Sequence, residues 1–184
     1  MSRFQFRHRL FWAIRPVAPI DAQISNFNEE LAAGASCVRK DRLHVTMGIT
    51  EDFEEEPADL AATMVAISDD IVAAPFEMTV DRLGGNGGSV ALRPARRIAG
   101  LYALHNQILS VTSRARLALR PQWRFNPHIT LFYREGAPFT RTVAGFRWRV
   151  EELELIHSLV GRTEHRVLGR WALRGENDRQ LALF

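Results

Sequence analysis

Two strand-like stretches, residues 42–47 and 126–131, constrain the fold more than any other part of the chain. In each stretch a histidine is followed, two positions later, by a threonine. Side chains two positions apart on a strand point to the same face, about 7 Å from each other. We therefore expect His44 and Thr46 to share one exposed face, and His128 and Thr130 to share another. The opposite, buried faces are expected to carry the apolar residues Leu43, Val45, Met47, Ile49, Ile129 and Leu131.

The duplicated His-x-Thr pattern is the strongest chemical signal in the sequence. One copy on a strand is most often structural, but two copies 84 positions apart (128 − 44), each followed by an apolar residue, are hard to attribute to chance. Histidine titrates near neutral pH, so two imidazoles can divide the acid and base duties of one reaction. The threonine hydroxyls can hold phosphoryl oxygens between them. If the strands face each other across a cleft, this arrangement favours in-line phosphoryl transfer.

Three other interpretations of the pattern stay open at this point. Two histidines could ligate zinc, although neither strand offers a nearby carboxylate or cysteine at a recognisable spacing. The pair could belong to a noncatalytic nucleotide-binding cleft, in which arginine and threonine donors would matter more than titratable imidazoles. It could also be a coincidence on a structural sheet. A Ser-His-Asp triad finds no support, because the chain has no Gly-x-Ser-x-Gly elbow.

Charge is distributed unevenly along the chain. Residues 51–81 contain ten acidic residues and no lysine or arginine, whereas residues 82–134 contain nine arginines and no acidic residue. All but one of the 24 basic residues are arginine, whose planar guanidinium forms paired hydrogen bonds with phosphate. The second histidine strand closes this basic segment, which favours a phosphate-bearing partner, although any single arginine is equally well explained as a solvated surface residue.

Composition and cysteine content predict a protein of the cytoplasm. We expect a monomer, although the sequence itself does not determine the oligomeric state. With 184 residues, of which 46% are apolar and 24% charged, the chain can build one sizeable core. Its one cysteine, Cys37, permits no internal disulfide and suits a reducing compartment. The apolar runs are too short to span a bilayer, and residues 10–14 are too short and too closely flanked by arginines for a signal peptide. We expect no association with a membrane.

The remaining periodicity predicts an α+β chain. Further strands are predicted at residues 9–15, 76–83, 89–93, 146–150, 153–160 and 166–173, the first of them central because it is apolar on both faces. Helices are predicted at residues 21–33, 57–74 and 98–119. The glycine-rich residues 84–88 predict a hairpin turn. A phosphate-binding loop is disfavoured, because no Gly-Lys-Ser/Thr follows these residues and no helix begins there.

The other four histidines have weaker signals. His105 falls within the apolar stripe of the long helix, and His157 alternates with leucines on a strand, so both are predicted to be packing residues. His8 and His165 have arginine neighbours and are predicted to lie at the surface, with a smaller chance that they contact substrate.

The two motifs resemble the paired H-x-T-hydrophobic signatures of the two-histidine phosphoesterase superfamily, in particular its 2'-5' RNA ligase-like group. The resemblance extends from about residue 9 to residue 174, including an opening strand, a middle strand at 76–83 and a closing hairpin at 155–173. It implies a single two-lobed domain across residues 1–184. The implied fold is α+β, with two pseudo-symmetric lobes of antiparallel sheet, helices outside and the active-site cleft between the sheets.

The resemblance also implies an activity, which is hydrolysis of 2',3'-cyclic phosphates at RNA ends or on small nucleotides to a 2'-phosphate, without a metal or another cofactor. Carried over by motif position, His44 would be the general acid that protonates the leaving 3' oxygen, and His128 the general base that activates water. Thr46 and Thr130 would bind the phosphate. The same cleft could ligate or cleave 2'-5' bonds, and the alternative from another class is a noncatalytic RNA- or nucleotide-binding module.

One departure from the family pattern concerns a phosphate-binding arginine. Many relatives have an arginine five residues after the second histidine, where this chain has Tyr133, with Arg134 one position later. The identity of any such arginine is therefore open. Substrate choice is expected to depend on loops at residues 51–56 and 134–142, and candidates for stacking a base are Phe11, Trp12, Phe132 and Tyr133.

Overall fold

Eight strands and three α-helices make up the described part of the chain, which is residues 6–175 of a computed structural model. The strands are β1 (Arg7–Ile14), β2 (Val45–Ile49), β3 (Phe76–Gly85), β4 (Ser89–Arg93), β5 (Ile129–Tyr133), β6 (Phe139–Val150), β7 (Glu152–Val160) and β8 (Glu164–Ala172). The α-helices are α1 (Ile20–Ala32), α2 (Ala58–Ser68) and α3 (Ala99–Arg114), and a short 3-10 helix covers Lys40–Arg42. No helix of the described residues is long and apolar enough to cross a membrane.

The strands form two four-stranded antiparallel sheets, which confirms the predicted α+β class. Their orders are β2-β1-β7-β8 and β5-β4-β3-β6, so each histidine motif leads into an edge strand. Strand β1 is central, as predicted, and Trp12 and Ala13 are fully buried on its opposite faces. The two sheets are not consecutive halves of the chain, because the C-terminal hairpin β7–β8 returns to pair with β1.

A continuous apolar core connects the helices with both sheets. Helix α3 contacts β2 in the first sheet and β3 in the second, and α1 contacts β5 and β6. The buried face of α3 repeats every three or four residues, at Leu101, Leu104, Ile108 and Val111, as an amphipathic helix requires. The two histidine strands are therefore held against helices on their buried faces.

Two helices end earlier than the apolar periodicity predicts. Helix α2 ends at Ser68, six residues before the predicted end, because Asp69 and Asp70 place negative charge at the negative end of the helix dipole. Helix α3 ends at Arg114, and Arg116 adopts a left-handed conformation with φ of 55°. This turn directs the following leucines into the core, which explains why the apolar pattern runs past the helix end.

Strand β6 begins at Phe139, inside the segment predicted to be a loop at residues 134–142. Its first residues pair with the end of β3, where Phe139 lies opposite Gly85. They are exposed on an edge strand and have no alternation of apolar and polar residues, so periodicity gives no signal for them. Strand β8 likewise begins at Glu164, two residues before the strand predicted at residues 166–173.

A β-bulge interrupts each histidine strand at the same place. In β2, Thr46 pairs with Ala13 and Gly48 with Trp12, which leaves Met47 as the extra residue. In β5, Thr130 pairs with Ala91 and Phe132 with Val90, which leaves Leu131. A bulge shifts the alternation of side chains beyond it. The prediction that Ile49 lies on the buried face opposite His44 is therefore wrong, because Ile49 packs with Phe11 and Trp123 in a separate apolar cluster at the cleft.

Candidate active site

An open cavity of about 450 Å³ lies between the two sheets. His44 and Thr46 line it from the β2 side, and His128 and Thr130 line it from the β5 side. Each histidine immediately precedes its strand, and each threonine is the second residue of the strand. The four residues that the sequence singled out thus lie on one cavity, although the two pairs are far apart along the chain.

The two imidazoles are held by the same local hydrogen bond. Nδ1 of His44 donates to the carbonyl of Arg42 at 2.7 Å, and Nδ1 of His128 donates to the carbonyl of Asn126 at 2.6 Å. In each case the acceptor is two residues before the histidine. Because this bond occupies the Nδ1 proton, it selects the tautomer in which Nε2 is free to accept a proton. Both histidines therefore offer Nε2 to chemistry in the cavity.

Both histidines are shifted towards the neutral form. The pKa of His44 is lowered to about 4, mainly by burial and also by the positive charges of Arg15 and Arg42 and the neighbouring His128, against the opposing effect of the hydrogen bond to the Arg42 carbonyl. Burial also lowers the pKa of His128, with a smaller contribution from Arg93. A bound anion would oppose these effects, because negative charge favours the protonated imidazole.

Buried donors satisfy the carbonyl groups at the two bulges. Nδ1 of His105, on α3, donates to the Met47 carbonyl at 2.7 Å. Nδ2 of Asn28, on α1, donates to the Leu131 carbonyl at 2.9 Å, and the backbone of Val38 donates to the same oxygen at 2.6 Å. These bonds fix the strand residue that follows each threonine, and so help to orient the His-Thr pairs.

A third histidine lies in the cavity beside the first. The ring of His165, on β8, meets that of His44 edge to face with 5.4 Å between centroids. Its pKa is lowered to about 3, mainly by burial and also by the nearby His44, Arg42 and Arg15. Its Nε2 lies 3.4 Å from Nη2 of Arg42, and its buried Nδ1 has no hydrogen-bond partner among residues 6–175. His165 was predicted to lie at the surface with a smaller chance of contacting substrate; it is half-buried and lies in the cavity, because the start of β8 is placed beside the cleft.

Three arginines line the cavity, and the sequence singled out none of them individually, although Arg120 belongs to the basic segment at residues 82–134. Arg42 belongs to the 3-10 helix before His44 and forms no ion pair with a carboxylate in the described part of the chain. Arg9 on β1 and Arg120 after α3 both contact Asp52. Arg134, which the sequence offered as a phosphate ligand, is not among the residues of the cavity and extends over the ring of Phe132.

The aromatic candidates separate into two groups. Phe11 and Tyr133 line the cavity, and the Phe11 ring stacks on His44 with 4.9 Å between centroids. Trp12 and Phe132 are instead buried in the main core, where they cannot stack a base. Trp123, which the sequence did not single out, also lines the cavity. It lies in the irregular segment between α3 and β5. Such a segment has no repeating pattern of apolar residues that would predict which side chains face the cavity.

The remaining histidines lie outside the cavity. His105 is buried and stacks on Phe125 at 4.0 Å, and His157 is buried on β7, so the prediction that both are packing residues is confirmed. His8 was predicted at the surface, and this is wrong. It is 8% exposed, and its Nδ1 shares a hydrogen bond with Nε2 of His157 at 2.8 Å. It is buried because β1 is covered on both faces. Within residues 6–175 no group of three or more His, Cys, Asp or Glu side chains is arranged to hold a metal ion.

Comparisons with solved structures agree with this architecture. LigT of Escherichia coli in complex with 3'-AMP is 26% identical, with a TM-score of 0.74, over 91% of this chain and 98% of that one. The same protein with ATP is 27% identical, with a TM-score of 0.72 and the same coverage. The protein TT0787 of Thermus thermophilus shares the fold at 23% identity, with a TM-score of 0.71 over 91% of this chain and 99% of that one. A search of curated proteins found no match.

The family comparison covers both His-Thr pairs and most of the elements that carry them. The sequence model of the 2'-5' RNA ligase superfamily matches residues 16–162, which is well over half of the chain. It includes β2 and β5 and the three helices. This confirms the resemblance seen in the two motifs: the chain belongs to the 2'-5' RNA ligase superfamily, whose members are two-histidine phosphoesterases.

Proposed function

We propose that the protein is a metal-independent phosphodiesterase that hydrolyses 2',3'-cyclic phosphates to 2'-phosphates, at RNA ends or on small nucleotides. The strongest support is the matched pair of histidines on one cavity, each with Nδ1 bonded to a carbonyl and Nε2 free. Two such groups suit a reaction in which one proton is removed and another is supplied at the same phosphorus. The similar LigT of E. coli has been crystallised with 3'-AMP and with ATP, which supports a nucleotide as the occupant here.

In the proposed reaction a water molecule attacks phosphorus in line with the 3' oxygen. His128 Nε2 takes the proton of the water, the phosphorus–O3' bond breaks, and His44 Nε2 donates its proton to O3'. The products are a 2'-phosphate and a free 3' hydroxyl, and the two imidazoles return to their starting states through solvent. Thr46 and Thr130 donate hydrogen bonds to the non-bridging oxygens, where negative charge builds up.

The acid role of His44 depends on the substrate. The pKa of His44 is lowered to about 4, mainly by burial, so the imidazole is neutral at neutral pH. A cyclic phosphate carries a negative charge, and its binding raises the pKa of a neighbouring imidazole. His44 thus becomes protonated when a substrate is present. Arg42, which has no carboxylate partner in the described chain, supplies further positive charge for the phosphate.

Turnover of adenosine 2',3'-cyclic phosphate tests the proposal. Purified protein in excess chelator should open the ring, and phosphorus NMR should identify the 2'-phosphate as the product. His44→Gln and His128→Gln keep a hydrogen-bonding side chain but cannot transfer a proton, and each should slow turnover by about a hundredfold or more. His157→Gln is the matched control, because His157 is a buried histidine outside the cavity.

Four results would count against the proposal. Full activity in either the His44 or the His128 variant would exclude the assigned roles. Activity that chelator abolishes and zinc restores would replace the metal-free reaction with a metal-dependent one. Nucleotide binding without any product would favour the noncatalytic module, and formation of a 2'-5' linkage between RNA ends would favour ligation in the same cleft.

A further inference from the structure

Arg9, Asp52 and Arg120 form a charged cluster on the cavity wall that the proposed reaction does not use. Arg9 donates to Asp52 from Nε at 2.6 Å and from Nη2 at 2.7 Å, and Arg120 donates to the same carboxylate from Nη2 at 2.5 Å. The three residues come from β1, from the segment after β2 and from the segment after α3. The backbone N–H of Arg120 also bonds to the Ile49 carbonyl at 2.9 Å, which fixes its segment against the end of β2.

The cluster carries an excess of positive charge and of free donors. Two guanidinium groups share one carboxylate, and the two arginines hold the pKa of Asp52 below its ordinary value, so Asp52 is ionised and the net charge is +1. Each guanidinium has five N–H donors, and the bonds to Asp52 use three of the ten. Both arginine side chains line the cavity and keep 27% and 31% of their surface exposed.

The position of the cluster suits a second phosphate of the same substrate. Arg9 and Phe11 point to the same face of β1, about 7 Å apart, and the Phe11 ring stacks on His44. Trp123 lies in the same turn as Arg120, whose carbonyl accepts the Trp123 N–H at 3.1 Å. An anion at the two arginines would thus be separated from the histidines by aromatic surface on which a base can stack.

We propose that Arg9 and Arg120, held in place by Asp52, bind the phosphate on the 5' side of the terminal nucleotide. This rests on the proposed function and refines it, because the preferred substrate is then a cyclic phosphate on a nucleotide whose 5' oxygen also carries phosphate, as the 3'-terminal nucleotide of an RNA chain does through its phosphodiester bond. Asp52 orients the two guanidiniums and does not contact the substrate. The subsite distinguishes RNA ends from free nucleoside cyclic phosphates by charge rather than by base sequence.

A matched pair of substrates tests this inference. Adenosine 2',3'-cyclic phosphate is compared with the same molecule bearing a 5'-phosphate, and the quantity measured is the ratio of the two kcat/KM values. We expect the 5'-phosphate to raise kcat/KM by about tenfold or more, which corresponds to one charge-assisted hydrogen-bonded pair. Arg9→Gln and Arg120→Gln should each bring the ratio close to one. Arg149→Gln should leave it unchanged, because Arg149 is an exposed arginine outside the cavity that pairs with Glu77 and Glu151.

Binding provides a second readout that does not need turnover. Calorimetry with adenosine 2'-phosphate and adenosine 2',5'-bisphosphate should show that the added 5'-phosphate tightens binding in the unmodified protein and not in Arg120→Gln. If the tighter binding of the bisphosphate depends on Arg120 but neither cyclic substrate is hydrolysed, the phosphate subsite is supported and the proposed hydrolase activity is contradicted. If both cyclic substrates are hydrolysed equally well and both ligands bind equally tightly, the hydrolase stands and the cluster is only a structural ion pair.

Discussion

Met47 and Leu131 occupy equivalent positions in the two sheets. Each is the extra residue of a β-bulge, and each directly follows the threonine of a His-x-Thr pair. Both side chains are fully buried, and both carbonyls accept a hydrogen bond from a buried side chain on a helix, His105 for Met47 and Asn28 for Leu131. Bulges re-aim side chains at functional sites. The same device thus sets the direction of both pairs towards the cavity.

His105→Phe tests how much the bulge in β2 depends on its hydrogen bond. Phenylalanine keeps the stacking on Phe125 but removes the donor to the Met47 carbonyl. A buried carbonyl without a partner costs about 1–3 kcal/mol, so we expect the free energy of unfolding in urea to fall by that amount. An unchanged free energy of unfolding would show that the bulge is held by packing alone.

The half-buried histidines of the cavity, His44 and His165, predict that the protein loses stability in mild acid. Burial lowers the pKa of His44 to about 4 and that of His165 to about 3, whereas an unfolded histidine titrates near 6.5. Below about pH 6.5 the unfolded chain binds protons that the folded chain excludes, so this stability is present above that pH and is lost as pH falls towards the folded pKa values.

Urea denaturation at about pH 7 and about pH 5 measures this effect, because most carboxylates remain ionised over that range. We expect the free energy of unfolding to fall by on the order of 1 kcal/mol for each such histidine. His165→Asn should make the free energy of unfolding fall less between the two pH values, because it removes one of the imidazoles that resist protonation in the folded protein. Equal stability at the two pH values would contradict the lowered pKa values of these two imidazoles.

Arg42→Ala tests the cation next to His44. Arg42 lines the cavity and has no carboxylate partner in residues 6–175, so its loss removes a charge that is free to bind phosphate. A hydrogen bond to a charged group contributes about 1.5–3 kcal/mol, and we expect kcat/KM for the cyclic substrate to fall by about tenfold or more. Arg39→Ala is the control, because Arg39 is exposed and pairs with Asp41. Similar losses in the two variants would indicate a general effect of charge.

A substrate with sulfur in place of the 3' oxygen separates the roles of the two histidines. A thiolate leaves without protonation, so a general acid is no longer needed for that step. We expect the defect of His44→Ala to shrink markedly with the 3'-thio substrate, while the defect of His128→Ala remains. If His128→Ala is the variant that recovers, the acid and base roles are exchanged.

The elements that depend on local periodicity could be predicted from the sequence. Alternation around His44 and His128 predicts both histidine strands, and the apolar run at residues 10–14 predicts the central place of β1. The bulges could not be predicted, because the shift of register at Met47 depends on which residues of β1 lie opposite. The true ends of α2 and α3 were missed because apolar residues continue beyond each helix into the core.

The rest of the cavity depends on contacts between distant parts of the chain. Arg9 and Asp52 are 43 positions apart, and Asp52 and Arg120 are 68 apart. No spacing rule connects such residues. His165 reaches His44 only because the C-terminal hairpin pairs with β1, which the order of elements along the chain does not reveal.

The central claim is that His44 and His128 act on the same phosphorus, and a double-mutant comparison of kcat tests it most directly. When two groups act together in one chemical step, removing either one already removes most of their joint effect on the rate. We predict that His44→Ala and His128→Ala each lower kcat for the cyclic phosphate by about a hundredfold or more, and that the double variant is little slower than either single one. Full activity in one single variant, or losses that multiply in the double variant, would contradict the account.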